Sequence, residues 1–237
     1  SVSFIEAPTG IGKTMGAIFG SLIGFKDNSI DKFFYLCPKN SGFENSKKAI
    51  SIINDGGVPI NAVEILAKEK MCPYKLEKNC NPDDCPLACN YYSKVREALK
   101  DILSKELIID KDKIDYYSSK FDLCPFEFSL DISLYVDYII CDYNYVFHPI
   151  SSLKRFFETP DKQYKIFALV DEAHNLIERV RDMYSASISF DDFKNLKKSF
   201  KDIKEKSIKK AISNVNKDFK MFETMEFEKE LIIEKID

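Results

Sequence analysis

Short apolar runs alternate with amphipathic stretches along the first part of the chain. Residues 2–5 (VSFI) read as a short buried strand, residues 8–12 as a glycine-containing turn and residues 13–22 as a helix. Residues 33–37 (FFYLC) form a second apolar run, residues 45–53 a helical pattern, and residues 62–66 (AVEIL) a third strand. This alternation predicts a parallel α/β sheet with helices on both faces. From Cys72 to about Cys124 the pattern shifts to cysteines, prolines and polar turn residues, followed by helical stretches over 91–107 and 111–119, and it reads as an insertion. Strand-like runs return at 135–142 (YVDYIICD) and 164–171 (YKIFALVD), the second leading into a helix over 175–183. After Ser185 the chain becomes Lys-rich and helical, with Leu196, Phe200, Ile203, Ile208 and Ile212 recurring at helical intervals.

Composition narrows the classes. A chain of 237 residues with 45% hydrophobic content supports a sizeable core. Its 35 basic and 38 acidic residues leave a net charge of −3, so nucleic-acid binding would rely on local patches rather than a global basic field. The apolar runs fall far short of the roughly 20 residues of a membrane span. No signal-peptide pattern opens the chain, and the expectation is a cytoplasmic protein with no membrane partner.

Ala7-Pro8-Thr9-Gly10-Ile11-Gly12-Lys13-Thr14 sits between the first predicted strand and helix, the context of a phosphate-binding loop. Small residues let backbone N–H groups curl around phosphate oxygens, and the helix that follows directs its positive end at them. Lys13 would reach the β and γ phosphates of ATP, and the Thr14 hydroxyl would ligate Mg²⁺. Ala7 stands where the strict pattern has glycine. Asp171 ends an apolar strand, at the sheet edge where open α/β folds bind ligands, and is the second Mg²⁺ ligand. Glu172 follows as the base that orients and deprotonates an attacking water. His174 is either a polar core histidine or a coupler to a partner lobe, and His148 is structural.

Cys72, Cys80, Cys85 and Cys89 are separated by seven, four and three residues, and Cys124 follows in LCPFE. Such thiols suit zinc or an iron-sulfur cluster, and spacing alone leaves the two open. Cys37 and Cys141 fall in strands and read as core.

EAPTGIGKT, a cysteine-rich insertion and a strand ending in DEAHN, in that order, resemble the XPD and DinG branch of superfamily 2 DNA helicases. The resemblance implies a RecA-like first motor domain over 1–70 and 125–184, a four-iron, four-sulfur cluster domain over 71–124, and the start of a helical Arch domain over 185–237. By the same resemblance, Cys72, which follows a basic stretch, and Cys124, which opens a Cys-Pro-aromatic motif, are cluster ligands. Cys80 and Cys85 complete the set, with Cys89 as the substitute. Lys39 and Asn40 fall where the family contacts the DNA backbone, although Cys37 replaces the Thr often found there. Tyr143, Tyr145 and Phe147 lie in the segment corresponding to the family's aromatic loop, where base stacking competes with core packing. Lys194, Lys197, Lys198 and Lys201 share one helical face opposite Leu196, Phe200 and Ile203, either solvated or in contact with single-stranded DNA. The implied protein is a monomeric ATP-dependent helicase of 5′ to 3′ polarity, acting in repair or replication. This chain would be a truncated piece of it, weak in nucleotide binding without the second motor lobe of the same parent. The alternatives are a translocase that does not unwind duplexes and a metal-stabilised nucleic-acid-binding module.

Overall fold

The computed structural model describes residues 2–8, 10–38, 40–75, 77, 79–158, 163–185, 187, 189–200 and 205–223. The first helix, α1 (Lys13–Lys26), leads into β1 (Lys32–Leu36), α2 (Asn40–Asp55), β2 (Ala62–Ile65) and the short α3 (Lys68–Met71). Next come α4 (Tyr91–Lys105), β3 (Ile108–Ile109), α5 (Lys111–Phe121), α6 (Pro125–Ile132) and β4 (Tyr138–Cys141). The chain continues through α7 (Asn144–Phe147), α8 (Lys154–Phe157), β5 (Ile166–Val170), a 3-10 turn (Ala173–Asn175) and α9 (Leu176–Met183). It closes with α10 (Phe190–Ser199) and α11 (Lys206–Glu223).

The strands form one parallel sheet in the order β3-β2-β4-β1-β5. Every residue of β1, β2 and β4 is buried, which explains why, Lys32 and Glu64 apart, these strands are apolar, because a parallel strand covered on both faces has no polar alternation. Alternate side chains divide between two cores. Phe33, Tyr35, Tyr138 and Ile140 pack with Ile18 of α1 and with Phe43 and Ile50 of α2. Phe34, Leu36, Ile139 and Cys141 pack on the other face with α4, α5 and α6. The fold is therefore α/β and RecA-like, with helices on both faces of the sheet.

Residues 2–5 depart from the expected strand. Val2, Phe4 and Ile5 are 82%, 91% and 81% exposed, and none of the five strands pairs with them. An apolar run becomes a strand only where a neighbouring backbone completes its ladder. The stretch after Cys72, read as an insertion, in turn contributes β3 to the sheet edge, where it pairs with β2 through Ala62 and Ile108.

Lys32 is a buried cation at the start of β1. Its ammonium donates to the carbonyls of Ser133, Leu134 and Val136, and Phe156 and Tyr164 lie beside it at 5.9 and 6.0 Å. These contacts fix the end of α6 to the sheet. Asp131 adds a second tie, accepting from the Tyr91 hydroxyl at 2.8 Å and from Arg155 at 2.9 Å.

Residues 1–184 and 185–237 form two compact units. In the second, Phe193 is buried and packs against Phe219 with the rings tilted by 35°, and the Ser189 hydroxyl caps α10 by accepting from the Asp192 N–H. Leu196 is exposed, so Phe193 anchors α10. Lys194 lies 4.1 Å from the Phe190 ring centre and Lys197 donates to Asn216, while Lys198 is exposed. Lys201 and Ile203 lie outside the described residues.

Candidate nucleotide site

The loop ahead of α1 depends on two glycines. Gly10 and Gly12 have φ of 85° and 83°, a left-handed conformation that costs other residues energy, whereas added Cβ atoms would meet nothing within 4 Å. Conformation, not space, requires glycine there. Gly12 caps α1, with its carbonyl accepting from the Gly16 N–H at 2.9 Å. The Lys13 ammonium folds back over the loop and donates to the carbonyls of Ala7 at 2.7 Å and Pro8 at 3.0 Å. Ile11 is exposed on the loop surface. Thr9 and Lys39 lie outside the described residues, as does the side chain of Asn40.

Asp171 follows β5 and prolongs its pairing, donating its N–H to the Leu36 carbonyl at 2.9 Å. Its carboxylate meets Thr14 through a third residue. The Tyr35 hydroxyl, on β1, donates to Asp171 Oδ2 at 2.8 Å and lies 3.2 Å from Thr14 Oγ1. Burial, with Asp171 adding to it against the Thr14 contact, pushes the Tyr35 hydroxyl well above the usual tyrosine range, so it remains a donor. Two hard oxygen donors from distant parts of the chain thus meet at one hydroxyl, a donor set that suits Mg²⁺.

Glu172 turns the backbone away from the strand at a left-handed φ of 51°. Two contacts hold that turn. Its N–H donates to Asp171 Oδ1 at 3.1 Å, and the Tyr143 hydroxyl donates to the carbonyls of both Asp171 and Glu172. Its carboxylate is exposed and stands 3.5 Å from His174 Nδ1, which is exposed as well. His174 is therefore not a core histidine. His148 is structural, its Nδ1 accepting from the N–H groups of Ile150 and Ser151 at 3.1 Å.

Gly42 completes the surroundings. A Cβ there would lie 2.5 Å from Cys37 Cβ and 3.7 Å from Asp171 Oδ2, so only glycine lets α2 start this close to the end of β1. Burial, followed by the charge of Asp171, pushes the Cys37 thiol up to about 12, which makes it an inert neighbour. Tyr35, Gly42 and the clamp by Tyr143 are invisible to motif reading because each depends on tertiary proximity.

The profile of the DEAD_2 family matches residues 60–193, more than half of the chain. The chain belongs to the DEAD_2 family. The match runs from before β2 through the cysteine-rich stretch and the DEAH turn into α10. Among solved structures, one described as "Truncated XPD" shares the fold with a TM-score of 0.57 and 24% identity, over 91% of this chain and 59% of that one. The DEAD_2 chain thus has an XPD-like fold and spans less than two thirds of that structure. No curated protein matches it. Its place with the XPD and DinG branch of superfamily 2 helicases, implied by the motifs, is supported by both family and fold.

Two of the DEAD_2 cysteines lie at the ends of short helices, and three lie in the turns between them. Cys72 ends α3, and Cys124 precedes Pro125 at the start of α6. A hydrogen bond with Cys80 raises the Lys68 ammonium above its ordinary value, against a smaller lowering by burial. Burial is the main cause that pushes the Cys124 thiol up. Cys89 is exposed, and its N–H donates to the Cys85 carbonyl at 3.2 Å. The soft donor set suits a thiolate-bound metal. Among the described residues, however, no three Cys, His, Asp or Glu side chains converge as a metal-holding group.

The aromatic segment after β4 is core. Tyr143 and Tyr145 are buried, Tyr145 donating to the Leu66 carbonyl at 2.9 Å, and Phe147 packs against the same cluster. Base stacking by Tyr143 and Tyr145 is excluded by their burial in this arrangement. Among the described residues, no helix is long and apolar enough to cross a membrane.

Proposed function

We propose that this DEAD_2 chain is the ATP-binding first motor lobe, with its metal domain and the start of an Arch domain, of an ATP-dependent DNA helicase. The reading includes 5′ to 3′ polarity, single-stranded DNA as partner, a role in repair or replication, a cytoplasmic setting and a monomer whose second motor lobe belongs to the same parent. The observation that carries it is the meeting of Thr14 and Asp171 at the Tyr35 hydroxyl, beside the loop crossed by Lys13. A phosphate-binding loop paired with a carboxylate at the carboxyl edge of a parallel sheet is the arrangement that NTP hydrolysis requires.

On nucleotide binding, Lys13 exchanges the carbonyls of Ala7 and Pro8 for phosphate oxygens. The backbone from Ala7 to Thr14 wraps the phosphates, and the N-terminal end of α1 adds its dipole. Thr14 and Asp171 would hold Mg²⁺, which would supply positive charge to offset that of the phosphates. Glu172, next to Asp171 and free of it on the exposed side of the turn, orients and deprotonates the attacking water. His174, 3.5 Å from Glu172, couples that base to the second lobe.

Cys72, Cys80, Cys85 and Cys124, with Cys89 as the alternate, hold a four-iron, four-sulfur cluster, or zinc in its place. A metal bound there supplies local folding free energy to the stretch between α3 and α6. The positions of Cys72 and Cys124 at the ends of α3 and α6, which pack on each other, and the hydrogen bond of Lys68 with Cys80 support this assignment.

In the full-length parent, ATP hydrolysis stimulated by single-stranded DNA should accompany duplex unwinding, and Lys13→Ala should abolish both. Unwinding that survives Lys13→Ala contradicts the proposal, and turnover without unwinding points to a translocase.

A further inference from the structure

The geometry points to a positioning role for Tyr35, outside both nucleotide motifs: its hydroxyl presets Thr14 and Asp171 as a pair of cation ligands. This inference rests on the nucleotide reading above and adds a residue to it.

The argument follows from which atoms can donate. An ionised carboxylate only accepts, so the Tyr35 hydroxyl, 2.8 Å from Asp171 Oδ2, commits its single proton to Asp171. The Tyr35 oxygen then has only lone pairs for Thr14 Oγ1, 3.2 Å away, and Thr14 must be the donor. With its proton directed to Tyr35, the Thr14 hydroxyl keeps its lone pairs for an electropositive ligand. The Asp171 carboxylate is restrained at both oxygens, since Oδ1 accepts from the Glu172 N–H.

Tyr35 is well placed to impose this order. It lies on β1 with Ile140 of β4 and Leu169 of β5 at paired positions on either side, and its side chain is almost fully buried in the core beneath α1 and α2. A ring packed in this way has little freedom to swing its hydroxyl. Mg²⁺ demands near-ideal octahedral geometry, so ligands fixed in advance spare it the cost of gathering mobile side chains.

The test is equilibrium binding of a fluorescent ADP analogue by the full 237-residue chain, titrated with Mg²⁺ after an EDTA baseline. Tyr35→Phe keeps the ring and removes only the hydroxyl. It should raise the Mg²⁺ concentration for half-maximal tightening about three- to tenfold, the worth of one hydrogen bond, while the EDTA affinity stays within about twofold. Thr14→Ala should remove most of the Mg²⁺ response, and adding Tyr35→Phe to it should have a smaller effect than in the wild-type background, because the Thr14 contact is already gone and only the Asp171 contact is left to lose. A merely structural Tyr35 would shift both baselines together and would lower stability equally in either Thr14 background, which overturns the inference. So does a Mg²⁺ response in Tyr35→Phe equal to or sharper than that of the wild type. A wild-type chain that binds the analogue with no Mg²⁺ response overturns the nucleotide reading itself, and the role of Tyr35 with it.

Discussion

The Tyr143 hydroxyl donates to the Glu172 carbonyl at 3.1 Å, joining the segment after β4 to the left-handed turn that carries the proposed catalytic base. Burial, followed by the charge of Asp171, raises Tyr143 to about 12, so the donor persists across the working pH range. Tyr143→Phe removes the contacts to both the Asp171 and the Glu172 carbonyl and leaves the turn at Glu172 to relax. The expected cost is about 1–2 kcal/mol of stability by urea unfolding. In the full-length parent, kcat for ATP should fall while nucleotide affinity stays near that of the wild type. Equal losses in kcat and affinity would show that Tyr143 supports the whole lobe rather than this turn.

Lys32→Met tests the buried cation at the start of β1. The substitution preserves much of the side chain but leaves the carbonyls of Ser133, Leu134 and Val136 without the ammonium that now serves them. Urea unfolding should show a loss of about 2–3 kcal/mol. An unchanged midpoint would mean that water serves those carbonyls as well as Lys32 does.

Gly42→Ala places a methyl group against Cys37 at a distance that packed atoms do not adopt. Either the start of α2 or the end of β1 must move, at a cost of about 1–3 kcal/mol. Because Asp171 lies on the same side, Mg²⁺-dependent nucleotide binding should weaken along with stability. A variant of normal stability and normal binding would show that α2 yields freely.

Glu64 gives a pH prediction. Burial raises its carboxyl above the ordinary range, although Lys47 at 3.5 Å and the Lys111 N–H oppose the shift. Lys47 is itself half-buried, which lowers it, but Glu44 and Glu64 together raise it, so its upward shift does not mean that the ion pair wins at Glu64. A carboxyl with a raised folded pKa favours the fold while protonated, and that contribution is lost as pH rises from the unfolded value through the folded one. Glu64→Gln should therefore gain stability relative to the wild type as pH rises from about 4 to 7. A melting-temperature difference that moves the other way would mean that the pair with Lys47 outweighs burial.

What could be read from the chain alone follows the range of the forces involved. The helix that starts at Lys13 and the strand that leads to Asp171 are local, and both read correctly as elements. The VSFI run did not become a strand because apolarity identifies a candidate while a neighbouring ladder decides it. Ile108 and Ile109 are too short a run to signal a strand, yet β2 captures them as β3. Tyr35 looks like one more core aromatic in FFYLC until folding brings its hydroxyl between Thr14 and Asp171. Tyr143 reads as either a stacking or a core aromatic, and only the packed structure turns its hydroxyl to the turn at Glu172. Cysteine spacing indicated a donor set without its convergence, since spacing along a loop does not determine where thiols meet.

The central claim is a nucleotide site shared by Lys13, Thr14 and Asp171, and the direct measurement is calorimetric titration of the chain with ADP in the presence and absence of Mg²⁺. The account predicts binding that Mg²⁺ tightens, that Lys13→Ala abolishes, and that loses its Mg²⁺ response in Asp171→Asn. Binding unaffected by Lys13→Ala, or a Mg²⁺ response preserved in Asp171→Asn, would contradict it.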